Sequence, residues 1–213
     1  MKHLNTYITE YIIKKKLDKP IDSEDHYEYY PKTKDELIYN IKELIKQNIY
    51  DFNCIDTSEI TDMNHLFDDI KIEKNFDISK WNVKNVKDMN SMFNNSLYYF
   101  NCDLSNWDVS KVENMQHMFY HCTNFKGNGI ENWNVSNVTN MDSIFEDCAN
   151  FDCDLSNWDV SNVINAERMF SDCINFTGKG LENWNMSKLK NKDKIFLRCK
   201  LLRKKPSWYK IKL

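Results

Sequence analysis

The chain has 213 residues, a formal net charge of −3 and 41% hydrophobic residues, with aromatics at 14%. Six Trp, eleven Tyr and twelve Phe are enough to fill a core, which excludes compositional disorder. No run of about 18 apolar residues occurs, which argues against a membrane-spanning helix. The interrupted apolar pattern of the first residues argues against a secretory signal, so the seven cysteines read as reduced thiols of a cytoplasmic protein.

Residues 1–50 form an N-terminal segment of their own. Tyr7, Ile8, Tyr11, Ile12 and Leu17 fall at helical spacing, and Pro20 ends that stretch. An acidic, aromatic loop, IDSEDHYEYYP, follows. Thr33 and Glu36 then form a capping-box pattern ahead of Leu37, Ile41, Leu44 and Ile45, which predicts a second helix. The helical segment is expected to cap whatever lies beyond it.

From residue 51 the chain repeats. Trp stands at 81, 107, 133, 158 and 184, and Phe at 67, 93, 119, 145, 170 and 196. Both series step by 26 residues and shorten once to 25 at the same place, so a single unit recurs about six times over residues 51–202. Its pattern is W-[DN]-V-S-[NK]-V-x-N-M-x-x-M-F-x-x-C-x-x-F, then a turn, then [LI]-x-N. In W-[DN]-V-S, apolar and polar residues alternate, which predicts a short strand with one buried face. In N-M-x-x-M-F-x-x-C, apolar residues fall three and four apart, which predicts a helical or 3₁₀ turn. The units at the two ends are degraded, with Ile55 in the Trp place and Lys192 in a Met place, as terminal repeats are. Two connecting turns alternate. NCDLSN and DCDLSN follow Phe100 and Phe151, while KGNGIEN and TGKGLEN follow Phe125 and Phe176 and hold all four glycines of the chain.

This motif resembles that of BspA-type leucine-rich-repeat proteins, whose units also occur in mycoplasma lipoproteins. The resemblance covers roughly residues 54–202. It implies an α+β repeat fold: a leucine-rich-repeat-like right-handed solenoid with one short parallel strand per coil and an N-terminal helical cap. Many proteins of that family are surface-exposed and thought to bind host or matrix proteins. They share no catalytic residues, and the export signal or lipid anchor of a surface role is missing from this sequence. The leader PKTKDEL, residues 31–37, is similar to leaders of small proteins from gut Bacteroidales and their phages, which implies a bacterial or phage-encoded chain.

Three sets of residues follow. Trp81, Trp107, Trp133, Trp158 and Trp184, with Phe93, Phe119, Phe145, Phe170 and Phe196, and Cys122, Cys148, Cys173 and Cys199, are expected to form core ladders of like residues. The alternatives, a stacking platform of Trp or a metal or redox site of Cys, lack an outward face and a C-x-x-C pair respectively. Asn82, Lys84, Asp108, Ser110, Asn134, Ser136, Asp159, Ser161, Asn185 and Ser187 alternate with the core and form a candidate partner-binding face. The plainer reading is that these polar side chains hydrogen-bond within and between coils. Residues 203–213 form a basic tail. From 185 to 213 eleven Lys or Arg stand against one acid, and Arg198, Lys200, Arg203, Lys204 and Lys205 form a basic patch: a solvated end or a nucleic-acid contact. His117 and His121, four apart, would share a zinc ion only on a helix. No cofactor motif, catalytic constellation or metal set is present, so the expectation is a non-catalytic scaffold binding a protein. The alternatives are an assembly component of a larger particle, in a virion or host cytoplasm if phage-encoded, and association with nucleic acid.

Overall fold

A computed structural model of the chain describes residues 27–94 and 100–209. The helix expected over residues 7–17 lies outside these. The 25–26-residue units lie directly over one another. Isolated parallel bridges join Asp62 to Asp88, Asp88 to Asn114, Asn114 to Asn140, Asn140 to Asn165 and Asn165 to Asn191, each linking one position to its equivalent in the next coil. Inside, the repeat Phe rings stack from Phe67 through Phe93, Phe119, Phe145 and Phe170 to Phe196, with centroids 5.4–5.9 Å apart and planes within 17° of parallel. A second Phe column, Phe76, Phe100, Phe125, Phe151 and Phe176, runs beside it, its ring centres 4.1–5.3 Å from those of the first. Each such pair adds roughly 0.5–1.5 kcal/mol beyond simple burial.

The expected strand per coil does not form. Among the described residues there is one helix and no strand. The cause lies in the second residue of W-[DN]-V-S. Asp108 Oδ1 accepts from Ser110 N at 3.1 Å, and Val112 N closes on Val109 O at 2.9 Å. This Asx turn and the β-turn after it consume the amides that a strand would offer its neighbour. Trp107 and Val109 still point inward and are buried, so the alternation is kept without the strand. The leucine-rich-repeat-like arrangement, which rests on that strand, is set aside with it.

The helical turn expected at N-M-x-x-M-F is also replaced. Met118 N bonds to Met115 O and Cys122 N to Phe119 O, closing successive β-turns. His117 (φ 52°) and His121 (φ 60°) take the left-handed conformation at the third place of those turns. The same conformation recurs at Ser143 and Asp147, at Arg168 and Asp172, and at Lys194 and Arg198. Left-handed backbone is costly for residues with a Cβ. Here it turns alternate amides along the stacking direction, where they bond to the next coil: His117 N to Asp142 O, Phe119 N to Ile144 O and His121 N to Glu146 O, at 2.8–2.9 Å. An α-helix would spend those amides internally.

One helix, α1 (Lys34–Lys46), stands in for this segment at the N-terminal end. Thr33 Oγ1 accepts from Glu36 N, and Leu37, Ile41 and Leu44 are buried against the core. The chain enters and leaves the helix in stack register, with Tyr29 bridged to Ile55 and Asp51 to Asp77. At the other end Trp208 stacks on Trp184 at 6.1 Å, so the Trp register runs into the basic tail.

Glycine serves the alternating turns. A Cβ on Gly129 (φ 82°) would lie 2.3 Å from Ser105 N and 2.4 Å from Asp103 Oδ1, within the Asp-Leu-Ser turn of the preceding coil. Gly180 sits in the same way over Ser156 and Asp154. Gly129→Ala is expected to destabilise by about 2–4 kcal/mol, combining left-handed strain with overpacking against backbone. Trp133→Ala should cost about 3–5 kcal/mol. Urea unfolding of the full chain checks both, and a change below about 1 kcal/mol for either would contradict the packing described.

Candidate interaction site

The outward [DN]-V-S positions are turn builders. Asn82, Asp108, Asn134, Asp159 and Asn185 each accept, through Oδ1, the amide two residues on: Lys84, Ser110, Ser136, Ser161 and Ser187, at 3.0–3.3 Å. Asp108, Asn134, Asp159, Asn185, Lys84 and Ser187 are exposed, while Asn82, Ser110, Ser136 and Ser161 are half-buried. The carbonyls of Ser110 and Ser136 accept from the side-chain amides of Asn137 and Asn162 one coil on, both at 2.7 Å. Lys111 and Lys188 reach back to Asn85 and Asn162. Hydrogen bonds from the Ser110 hydroxyl and then from its amide also hold the Asp108 carboxyl below its usual range. This face therefore turns much of its polarity inward, onto its own backbone.

The cysteines form a ladder bonded to main chain. The thiols of Cys122, Cys148, Cys173 and Cys199 donate to the carbonyls of Phe93, Phe119, Phe145 and Phe170, each one coil back. Burial pushes the Cys122, Cys148 and Cys173 thiols well up, and the half-buried Cys199 thiol to about 12. Such groups carry almost no thiolate at neutral pH. No group of three or more His, Cys, Asp or Glu that would hold a metal ion occurs among the described residues. His121 Nδ1 pairs with Asp147 Oδ2 of the next coil, and His117 lies against the Tyr120 ring at 5.5 Å, so the two imidazoles have separate partners on a turn rather than a shared helical face.

The indoles are closed off in the same manner. Nε1 of Trp81, Trp107, Trp133, Trp158 and Trp184 donates to Phe52, Ile78, Leu104, Ile130 and Leu155 O, at 2.8–3.2 Å, and the rings are 2–5% exposed. Trp208 Nε1 donates to Leu181 O at 2.7 Å, making a further rung. It falls 24 residues after Trp184. The spacing was readable, but the basic residues around it disguised the rung as tail.

What the stack presents outward is a column of turn residues and a basic end. On the turn column, side chains pair from coil to coil. Arg168 bonds to the buried Glu146 at 3.1 Å, and Arg198 to Asp172 at 3.0 Å. Arg198, Lys200, Arg203, Lys204 and Lys205 are all exposed on the last coil and beyond it, and Lys205 Nζ lies 4.8 Å from the Tyr209 ring centre. No helix among the described residues is long and apolar enough to cross a membrane.

These features define a repeat protein built of turn-rich coils, each bonded to the next by backbone amides and buried indoles. The chain belongs to the family described as Mycoplasma protein of unknown function, DUF285, which matches residues 35–129 and 97–209. No curated protein and no solved structure matches it.

The thiol ladder gives a measurable pH dependence. The folded chain holds these protons more tightly than the unfolded chain, whose thiols titrate near 9. The stability they contribute is intact below pH 9 and is lost as pH rises above it, by up to about 1.4 kcal/mol per pH unit for each buried thiol. Urea midpoints at pH 8, 9.5 and 10.5 should fall accordingly, and Cys148→Ala should flatten the slope. An unchanged slope would remove the ladder from the account.

Proposed function

We propose that the chain is a non-catalytic scaffold that binds a protein partner. The observation behind this reading is the stack itself. Coils bonded amide to carbonyl over a stacked aromatic interior set outward side chains at a fixed pitch along one extended surface, the kind of surface repeat proteins use for partners. A surface ordered before binding loses little conformational entropy on contact, which favours affinity. The resemblance of the repeat motif to BspA-type proteins, many of which are thought to bind host or matrix proteins, supports the same reading. That kinship is proposed at the level of the motif, not of a strand in each coil.

Purification of the full chain from cells that express it, at about 0.15 M salt so that weak surface charge contacts are screened, should yield one protein partner in fixed stoichiometry. Cross-links from the partner should fall on the stack. Elution inside a large particle would assign the chain to an assembly instead. Retention of nucleic acid that is lost on deleting residues 198–213 would replace the protein-binding reading.

A further inference from the structure

From Met115 to Asp172, each coil holds the next by four amides of the turn segment, the first of them at the Met or Ala place. His117, Phe119 and His121 donate to carbonyls of the coil after them, and so do Arg168, Phe170 and Asp172, to Asp193, Ile195 and Leu197. In the last coil these places are taken by Lys194, Phe196 and Arg198. Their backbone N–H groups make no hydrogen bond among the described residues. The backbone nevertheless keeps the form it has where it is partnered: φ is 57° at Lys194 and 56° at Arg198, against 51° at Arg168 and 60° at Asp172. A row of donors thus ends the stack, exposed at Lys194 and Arg198, while the Trp208 and Tyr209 rings pack on the Phe196 side chain.

The other end is closed. There α1 replaces a coil, and Lys34 Nζ donates to Asn64 O at 3.0 Å, one position from His65, whose own amide feeds the next coil. Around the open row, Leu197 is 37% and Leu201 50% exposed, two of the four large exposed apolar side chains described. Lys194, Lys200, Arg203 and Lys204 are exposed and pair with no carboxylate among the described residues.

We propose that this end takes up an acidic, extended segment of a partner protein as one more coil, its carbonyls accepting from the amides of Lys194, Phe196 and Arg198. The proposal rests on the scaffold reading and adds the surface and the partner's chemistry. Polypeptide carbonyls are what this row binds everywhere else in the molecule, and strand-addition partners are held in the same way at open sheet edges. The surrounding cations select carboxylates, and Leu197 and Leu201 offer an apolar contact. A second copy is a poor fit, because two basic ends repel and the opposite end is covered by α1.

Amide exchange in the isotopically labelled full chain tests this. Probes are a short peptide of Glu and Leu, its Lys-for-Glu counterpart, and an oligothymidine of matched charge. The Glu peptide should slow exchange at Lys194, Phe196 and Arg198 about tenfold or more near saturation and leave His117 and Phe119 unchanged. Binding should weaken about tenfold in a Lys200→Glu, Arg203→Glu double variant, and Leu201→Ser should weaken it as well. Peptide binding without protection of the three amides overturns the proposal. So does oligothymidine binding in place of the peptide, or protection that comes with raised protein concentration alone and assigns the end to a second copy. A natural partner that binds while these amides stay unprotected would overturn this surface and leave the scaffold reading standing.

Discussion

Everything in this molecule follows from where the backbone amides of the turn segment point. A chain that reverses direction every few residues normally closes its hydrogen bonds locally. Here left-handed residues in successive turns send every second amide along the stack instead, so that each coil is both internally closed and bonded to its neighbour. Ten of the eleven non-glycine residues with positive φ serve this segment. Their strain, of order 1 kcal/mol or more apiece, is offset by intercoil hydrogen bonds and by the ring columns those bonds bring into register. His and Asp, which tolerate this conformation better than most residues, fill five of the ten places.

The interior uses polar atoms of apolar-looking side chains for the same end. Indole N–H and cysteine S–H groups donate to carbonyls one coil back, so the two residue types that mark the repeat most visibly also tie it together. A buried donor without a partner costs about 1–3 kcal/mol. Val in the Cys place would fill similar space but leave the Phe carbonyl without that donor. The thiol is thus a small apolar group with one useful proton, and burial keeps that proton in place.

Much of this was legible in the sequence, though not as regular secondary structure. Trp and Phe spacing gave the period, the stacking and the inward residues. The inward alternation of Trp107 and Val109 is real, but Asp108 captures the Ser110 amide, and no apolar pattern reports that. Helix-like spacing in Met115, Met118 and Phe119 arises equally from two successive turns, and His117 does not announce a positive φ as glycine would. Capping residues Thr33 and Glu36 did mark the start of α1, because an N-cap is a local interaction written in neighbouring residues. The half-buried Tyr29, 26 residues before Ile55, and Trp208, beyond the last motif, are the outer rungs that a search for the full consensus passes over.

The alternation of connecting turns bears on how such a chain grows. Gly129 can lie on Asp103 and Ser105 only because that coil carries the glycine-free turn, and Gly127 leaves space for Cys153 on its other side. Aspartate-type turns also stack on one another, as Asp77-Ile78-Ser79 and Asp103-Leu104-Ser105 do in successive coils, whereas each glycine-type turn lies between glycine-free ones. From Phe100 onward, where the two turns alternate, the repeating unit is a pair of coils, the 51-residue interval from Gly127 to Gly178. Removal of the single coil that carries Asp154 would set one glycine-type turn over another, while removal of a pair of coils would leave a glycine-type turn lying on an aspartate-type one.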